Sequence, residues 1–158
     1  MIASALSLVL SAAPTLLMSG DLPNPTTLQQ KELEAVGVVT ETSNGKKLTG
    51  ASLQKVLEVL GQSAGPQGKD VPKAQKHSGH RKVVIAHARD GFEAVFSAAE
   101  LDETVGSTRV LIVWAIDGKA LDEKDGPFKL AVPSDHSPAR SISQLDKIEV
   151  RAVTVNKP

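Results

Sequence analysis

Arg109-Val-Leu-Ile-Val-Trp-Ala-Ile116 is the stretch on which the fold turns. From Val110 onward it is apolar at positions that would face both sides of a sheet, so it reads as a central, buried strand. Asp117-Gly118 turns it, and Asp125-Gly-Pro127 introduces a further strand, Phe128-Lys-Leu-Ala-Val132, ended by Pro133. Lys147-Ile-Glu-Val-Arg-Ala-Val153 closes the chain with strict alternation. Upstream, Val83-Val-Ile-Ala-His-Ala88 and the alternating Phe92-Glu-Ala-Val-Phe96 read as a hairpin across Arg89-Asp-Gly91. Ser97 and Glu100 stand at capping-box spacing for one helical turn through Leu101.

Helices are inserted among these strands rather than alternating with them. Leu53, Val56, Leu57 and Leu60 stand at i, i+3, i+4 and i+7, with Gln54, Lys55 and Glu58 on the other side and Gly61 as a stop. A shorter helix is predicted over 27–35 with a Thr cap, running into a strand-like Val36-Gly-Val-Val-Thr40, and Asn44-Gly45 is a two-residue hairpin signal. Strands outnumber helices, which predicts an α+β fold: a mostly β, mixed-sheet or barrel-like body with a few inserted helices. A plain β-barrel covered by one helix is the nearest competitor.

Composition narrows the chemistry. The 158 residues carry 18 basic and 18 acidic side chains, no Cys, no Tyr, and four aromatics: Phe92, Phe96, Trp114 and Phe128. A zero net charge supplies no excess of Lys and Arg for nucleic acid or an anionic membrane. The missing Cys removes disulfides, Cys-ligated zinc, iron–sulfur clusters and thiol nucleophiles together, and the missing Tyr removes a phenolic acid or base.

Charge is also unevenly placed. No side chain in residues 1–20 is charged, and the apolar run from Ile2 to Ala13 followed by small residues fits the middle of a signal peptide. The expected organisation is therefore a leader over 1–20, a single domain over 21–158, and a periplasmic or secreted location with no stable membrane span in the mature chain. Between 61 and 82 the texture turns to Gly, Pro, Gln, Ser and Lys without apolar periodicity. Lys69, Lys73, Lys76, Arg81 and Lys82 sit there against one acid, Asp70. A connection this long within one domain is either mobile or functional.

Candidate chemistry is sparse. His77-Ser-Gly-His80 places two imidazoles among cations that would repel a metal dication, so it reads as a solvated loop. Ser134-Asp-His136 holds the residue types of a hydrolase triad, but consecutive residues cannot form the required relay and no nucleophile elbow surrounds Ser134. No glycine-rich phosphate cradle occurs. His87, near Arg89 and Asp90, reads as a half-exposed strand-end histidine beside which an anion could bind. The loop 133–140 follows a buried strand and carries Ser134, Asp135, His136 and Arg140. Arg140 offers a planar fork for phosphate or carboxylate, or else pairs with a nearby acid such as Asp146.

The order of segments resembles the oxidoreductase molybdopterin-binding domain, the sulfite-oxidase-type fold, over about two-thirds of the chain. The resemblance rests on Leu48-Thr-Gly-Ala-Ser-Leu-Gln-Lys-Val-Leu-Glu-Val-Leu-Gly61, Arg89-Asp-Gly-Phe-Glu-Ala-Val-Phe-Ser97 with Glu100-Leu101, and Ile116-Asp-Gly-Lys-Ala-Leu121. It continues in Gly126-Pro-Phe-Lys-Leu-Ala-Val-Pro133 and in Ala139-Arg140 leading to Lys147-Ile-Glu-Val150. Ordered agreement of individually weak pieces is what gives it specificity.

The resemblance implies an α+β fold able to hold a molybdenum–pterin cofactor, with Ser134, His136 and Arg140 as cofactor-binding positions. It also implies a metal-binding Cys in an upstream segment, here reduced to residues 36–47, and a Tyr near substrate; this chain has neither residue type. The leading expectation is thus an exported, non-catalytic molybdopterin-binding-like domain whose ligand is the pterin, a small anion or a protein partner. The alternatives are an active molybdenum-dependent oxidoreductase or a subunit of one, and a periplasmic interaction module without ligand.

Overall fold

The computed structural model describes residues 12–154. Residues 1–11, where most of the expected leader falls, lie outside them. Among the described residues the order is β1 (Thr15–Gly20), β2 (Thr26–Gln29), α1 (Gln30–Val36), β3 (Val39–Ser43), β4 (Lys46–Ser52) and α2 (Leu53–Val59). There follow β5 (Lys82–Ala88), β6 (Glu93–Ser97), α3 (Ala98–Leu101), β7 (Leu111–Ile116), β8 (Lys119–Ala120), β9 (Lys129–Ala131) and β10 (Leu145–Ala152), with 3₁₀ turns at Ser78–Arg81 and Pro138–Arg140.

The strands form two five-stranded sheets. The first runs β2-β1-β10-β5-β6 and is mixed, because β1 and β10 are parallel while the other pairs are antiparallel. The second runs β3-β4-β7, with β8 and β9 both pairing the far side of β7. Neither closes on itself, so the fold is α+β as expected, but the barrel form is not adopted.

The apolar character of both faces of 110–114 follows from this arrangement. Ile112 and Trp114 join the main core with Leu16, Met18, Val84, Ala86, Phe96, Ile148 and Val150, while Leu111 and Val113 join a smaller cluster with Leu48 and Ala131. A strand with apolar neighbours on both faces has no polar alternation to show. The helices α1 and α2 supply Leu33, Leu53, Val56 and Leu57 to the main core, as the spacing over 53–60 requires. At the end of α2, the Gln62 N–H donates to the Leu57 carbonyl (2.9 Å) and the Gly61 N–H to the Glu58 carbonyl (3.0 Å), a Schellman closure. Asn44 and Gly45 take the positive φ values of 52° and 75° that a tight turn between β3 and β4 demands.

One expectation is corrected. The helix over 27–35 is a strand first: Thr26 and Leu28 pair with Met18 and Leu16 of β1, and α1 starts only at Gln30, capped by Gln29 and Glu32. Cross-strand pairing and burial of Leu28 override the local helical signal. The boundary after Gly20 falls at the end of a packed strand, because β1 lies between β2 and β10 and both Leu16 and Met18 are 0% exposed. An apolar strand buried on one face and a leader's apolar centre share a composition; no charge is present in either.

Candidate functional site

The loop after β9 is a short, closed excursion. Leu130 and Ile142 exchange two backbone hydrogen bonds (2.8 and 3.0 Å) across its mouth, and the Ser137 hydroxyl accepts from the Ala139 N–H (3.3 Å) to cap its 3₁₀ turn. This geometry sends Arg140 inward. Its Nε and Nη2 donate to the two carboxylate oxygens of Asp135 at 2.9 and 2.7 Å, and its Nη1 donates to Glu100 Oε1 at 3.2 Å. The guanidinium carbon stands 4.8 Å from the centre of the Phe96 ring, a cation–π stack. The same Glu100 oxygen accepts from the Ser97 N–H (3.1 Å), and the Ser97 hydroxyl accepts from the Glu100 N–H (3.0 Å), so the capping box of α3 is shared with the loop. Hydrogen bonds from Arg140 hold the Asp135 carboxyl below its ordinary range, and Asp135 raises the guanidinium in turn.

Arg140 therefore spends its bidentate edge on an internal carboxylate. The partners are Asp135 and Glu100, not the Asp146 that proximity in sequence offered. Ser134 and His136 are exposed. His136 lines a cavity of about 80 Å³ together with Ser43, Asn44, Pro133, Asp135 and Ser141, whereas neither Ser134 nor Arg140 does. The structure does not bring the three expected cofactor positions together around one space. The β3–β4 turn, within the segment 36–47, and the loop 133–140 meet at this cavity.

A molybdenum–pterin group does not fit there. Pockets for organic ligands begin at about 300 Å³, nearly four times this volume, and the chain offers no thiolate for the metal. Phe96, Glu100, Ser43 and Asn44 are the contributors that sequence reasoning missed. The Ser97/Glu100 spacing and the Asn44-Gly45 pair carry signals, but these are for a helix cap and a hairpin turn.

Other candidates resolve as internal pairs. His87 lies between Glu93 (Nδ1 to Oε1, 3.0 Å) and Glu149 (Nε2 to Oε1, 3.3 Å), so the strand-end histidine is flanked by two carboxylates, which disfavours an anion beside it. Arg151 approaches the same Glu149 oxygen at 2.9 Å and lowers that carboxyl. Asp125 accepts from the Ser143 hydroxyl (2.6 Å) and the Lys129 ammonium (3.0 Å), and the Ser143 contact leads in lowering its carboxyl. Among the described residues no three His, Cys, Asp or Glu side chains are arranged to hold a metal. An open groove of about 1070 Å³ is lined by both signs of charge, with Arg89 and Lys124 against Asp122 and Glu123.

The loop 61–82 is more structured than its composition suggests. His80 Nε2 lies 3.0 Å from Asp102 Oδ2, with both side chains under one-fifth exposed, and the His77 ring stacks on His80 at 5.5 Å. The Thr104 hydroxyl donates to Asp102 at 2.6 Å, and this bond, followed by that of His80, holds the Asp102 carboxyl down to about 2. A carboxyl depressed on folding contributes stability that is complete above its unfolded value and is lost as pH falls toward the folded one. Acid titration of the urea midpoint should therefore show about 1–2 kcal/mol lost between pH ~5 and ~2 that Asp102→Asn does not lose.

No family model matches this sequence, and none of the curated proteins matches it. Among solved structures it is similar to that of the sulfane dehydrogenase SoxCD from Paracoccus pantotrophus, with 14% identity and a TM-score of 0.58. The match covers 90% of this chain and 39% of that one, so this chain spans about two-fifths of the protein it resembles. What the likeness shows is the fold: an α+β domain related in architecture to part of that enzyme.

Proposed function

We propose that this chain is an exported, non-catalytic domain of sulfite-oxidase-type fold that acts by binding a partner and carries no molybdenum–pterin group. The observation that carries the reading is Arg140. Its fork is closed on Asp135 and Glu100 above Phe96, and the space left between the two cofactor-facing segments is about 80 Å³. A side chain that binds phosphate or carboxylate in trans must keep its bidentate edge free; here that edge is filled from the same loop. The uncharged, apolar residues 1–13 support export.

The test is the metal and pterin content of protein purified from its native host. Neither should exceed background; stoichiometric molybdenum with a released pterin sinks the reading and restores the oxidoreductase alternative. Arg140→Ala separates the two further. It should leave metal content unchanged while lowering unfolding stability by about 1–3 kcal/mol, because Asp135 and Glu100 lose their cation. An enzyme dependent on Arg140 for its cofactor would instead lose the cofactor.

A further inference from the structure

The chain's net charge of zero conceals a separation. Residues 61–82 hold five basic side chains against one acidic, a net +4; the rest of the chain holds 13 against 17, a net −4. Two of the five cations are tied internally. Arg81 donates to the Ala74 carbonyl, and Lys82 lies 3.3 Å from Asp21. Lys69, Lys73 and Lys76 have no carboxylate within ion-pair distance among the described residues.

The segment bearing these lysines is held at its base. The Gly79 N–H donates to the Ala64 carbonyl (3.0 Å) and the His77 N–H to the Pro66 carbonyl (3.2 Å), so the chain leaves and returns at one place. Gln62, buried, donates to the Gly79 carbonyl (3.2 Å), and His80 is fixed by Asp102. Gly79 approaches so closely that a Cβ there would stand 1.7 Å from the Ser63 carbonyl oxygen. This is an Ω-shaped excursion whose ends are closed and whose tip carries the unpaired cations. A charged tip on a fixed base loses less conformational freedom on docking than one on a free linker.

We propose that the tip Lys69, Lys73 and Lys76 is the docking surface for the acidic face of a partner protein. The inference rests on the non-catalytic binding reading above and names the chemistry of that partner. Charge complementarity sets the sign. The tip residues 66–76 include no aromatic side chain on which a base could stack and one branched apolar residue, Val71, which is already half-buried. Single-stranded nucleic acid uses aromatic platforms, and stable attachment to a membrane surface needs apolar insertion. An acidic protein face needs neither.

The probe is a fluorescent glutamate-rich peptide, titrated into the purified full chain at low and at physiological salt. The wild type binds at low salt and weakens as salt rises. Lys69→Gln/Lys73→Gln/Lys76→Gln weakens binding by at least about tenfold, with an unchanged melting temperature. Lys31→Gln/Lys46→Gln/Lys47→Gln, which removes the same charge from exposed positions elsewhere, leaves binding within about twofold. Equal loss in both variants, no binding by the wild type, or tighter binding to phosphatidylglycerol vesicles or duplex DNA than to the peptide each overturns the proposal. Molybdenum and pterin are measured on native-host protein in parallel. Cofactor found there defeats the non-catalytic reading, whereas a failed peptide titration with no cofactor defeats only the docking surface.

Discussion

A chain begun at Asp21 fails to fold. It lacks β1, which pairs β2 on one side and β10 on the other, so β2 loses the one strand it pairs among the described residues and β10 is left with an open edge. It also lacks Leu16 and Met18, both wholly buried. Emptying one such site costs about 2–5 kcal/mol, and two of them together with the lost pairing meet the whole stability of a typical domain, about 5–15 kcal/mol. A chain begun at Ala12 keeps β1 and should melt cooperatively by circular dichroism. The comparison bears directly on export: a leader compatible with this core is cut before Thr15, and the mass of the mature protein locates the cut. Cooperative unfolding of the chain begun at Asp21 would show that β1 is dispensable.

That first strand also marks where sequence reading stops. Amphipathic spacing made α2 legible, the Asn44-Gly45 turn made the β3–β4 hairpin legible, and the apolar run at 110–116 located the strand that separates two cores. These signals are local: each is a period or a dihedral requirement within a few residues. β1 and β2 carry no such signal, because their identity as strands comes from pairing with each other and with β10, more than a hundred residues away. The same holds at the site. Arg140 was visible as a candidate, but its partners Glu100 and Phe96 lie 40 and 44 positions upstream and reach it only because β6 and α3 pack against the loop. A residue type names what a side chain can bind. Only the fold says whether something within the chain has already bound it.

Phe96→Ala is the second large effect, and it reaches both the core and the loop. Phe96 is 1% exposed on β6, among the largest fully buried side chains of the main core, and truncating such a phenylalanine costs about 3–5 kcal/mol. For a domain of this size that lowers the melting temperature by on the order of 10–20 °C. The ring is also the platform beneath the Arg140 guanidinium, so part of the loss is the cation–π contact, about 0.5–1 kcal/mol where the cation remains partly exposed. The two substitutions are therefore coupled. Phe96→Ala combined with Arg140→Ala should destabilise by less than the sum of the single variants, with the shortfall, about 0.5–1 kcal/mol, read from urea unfolding of all four proteins. A strictly additive cycle would mean that the stack contributes nothing and that Asp135 and Glu100 alone hold Arg140. A coupled one shows that the Phe96 ring helps hold Arg140 on Asp135 and Glu100, so the position of the loop depends in part on the packing of the main core.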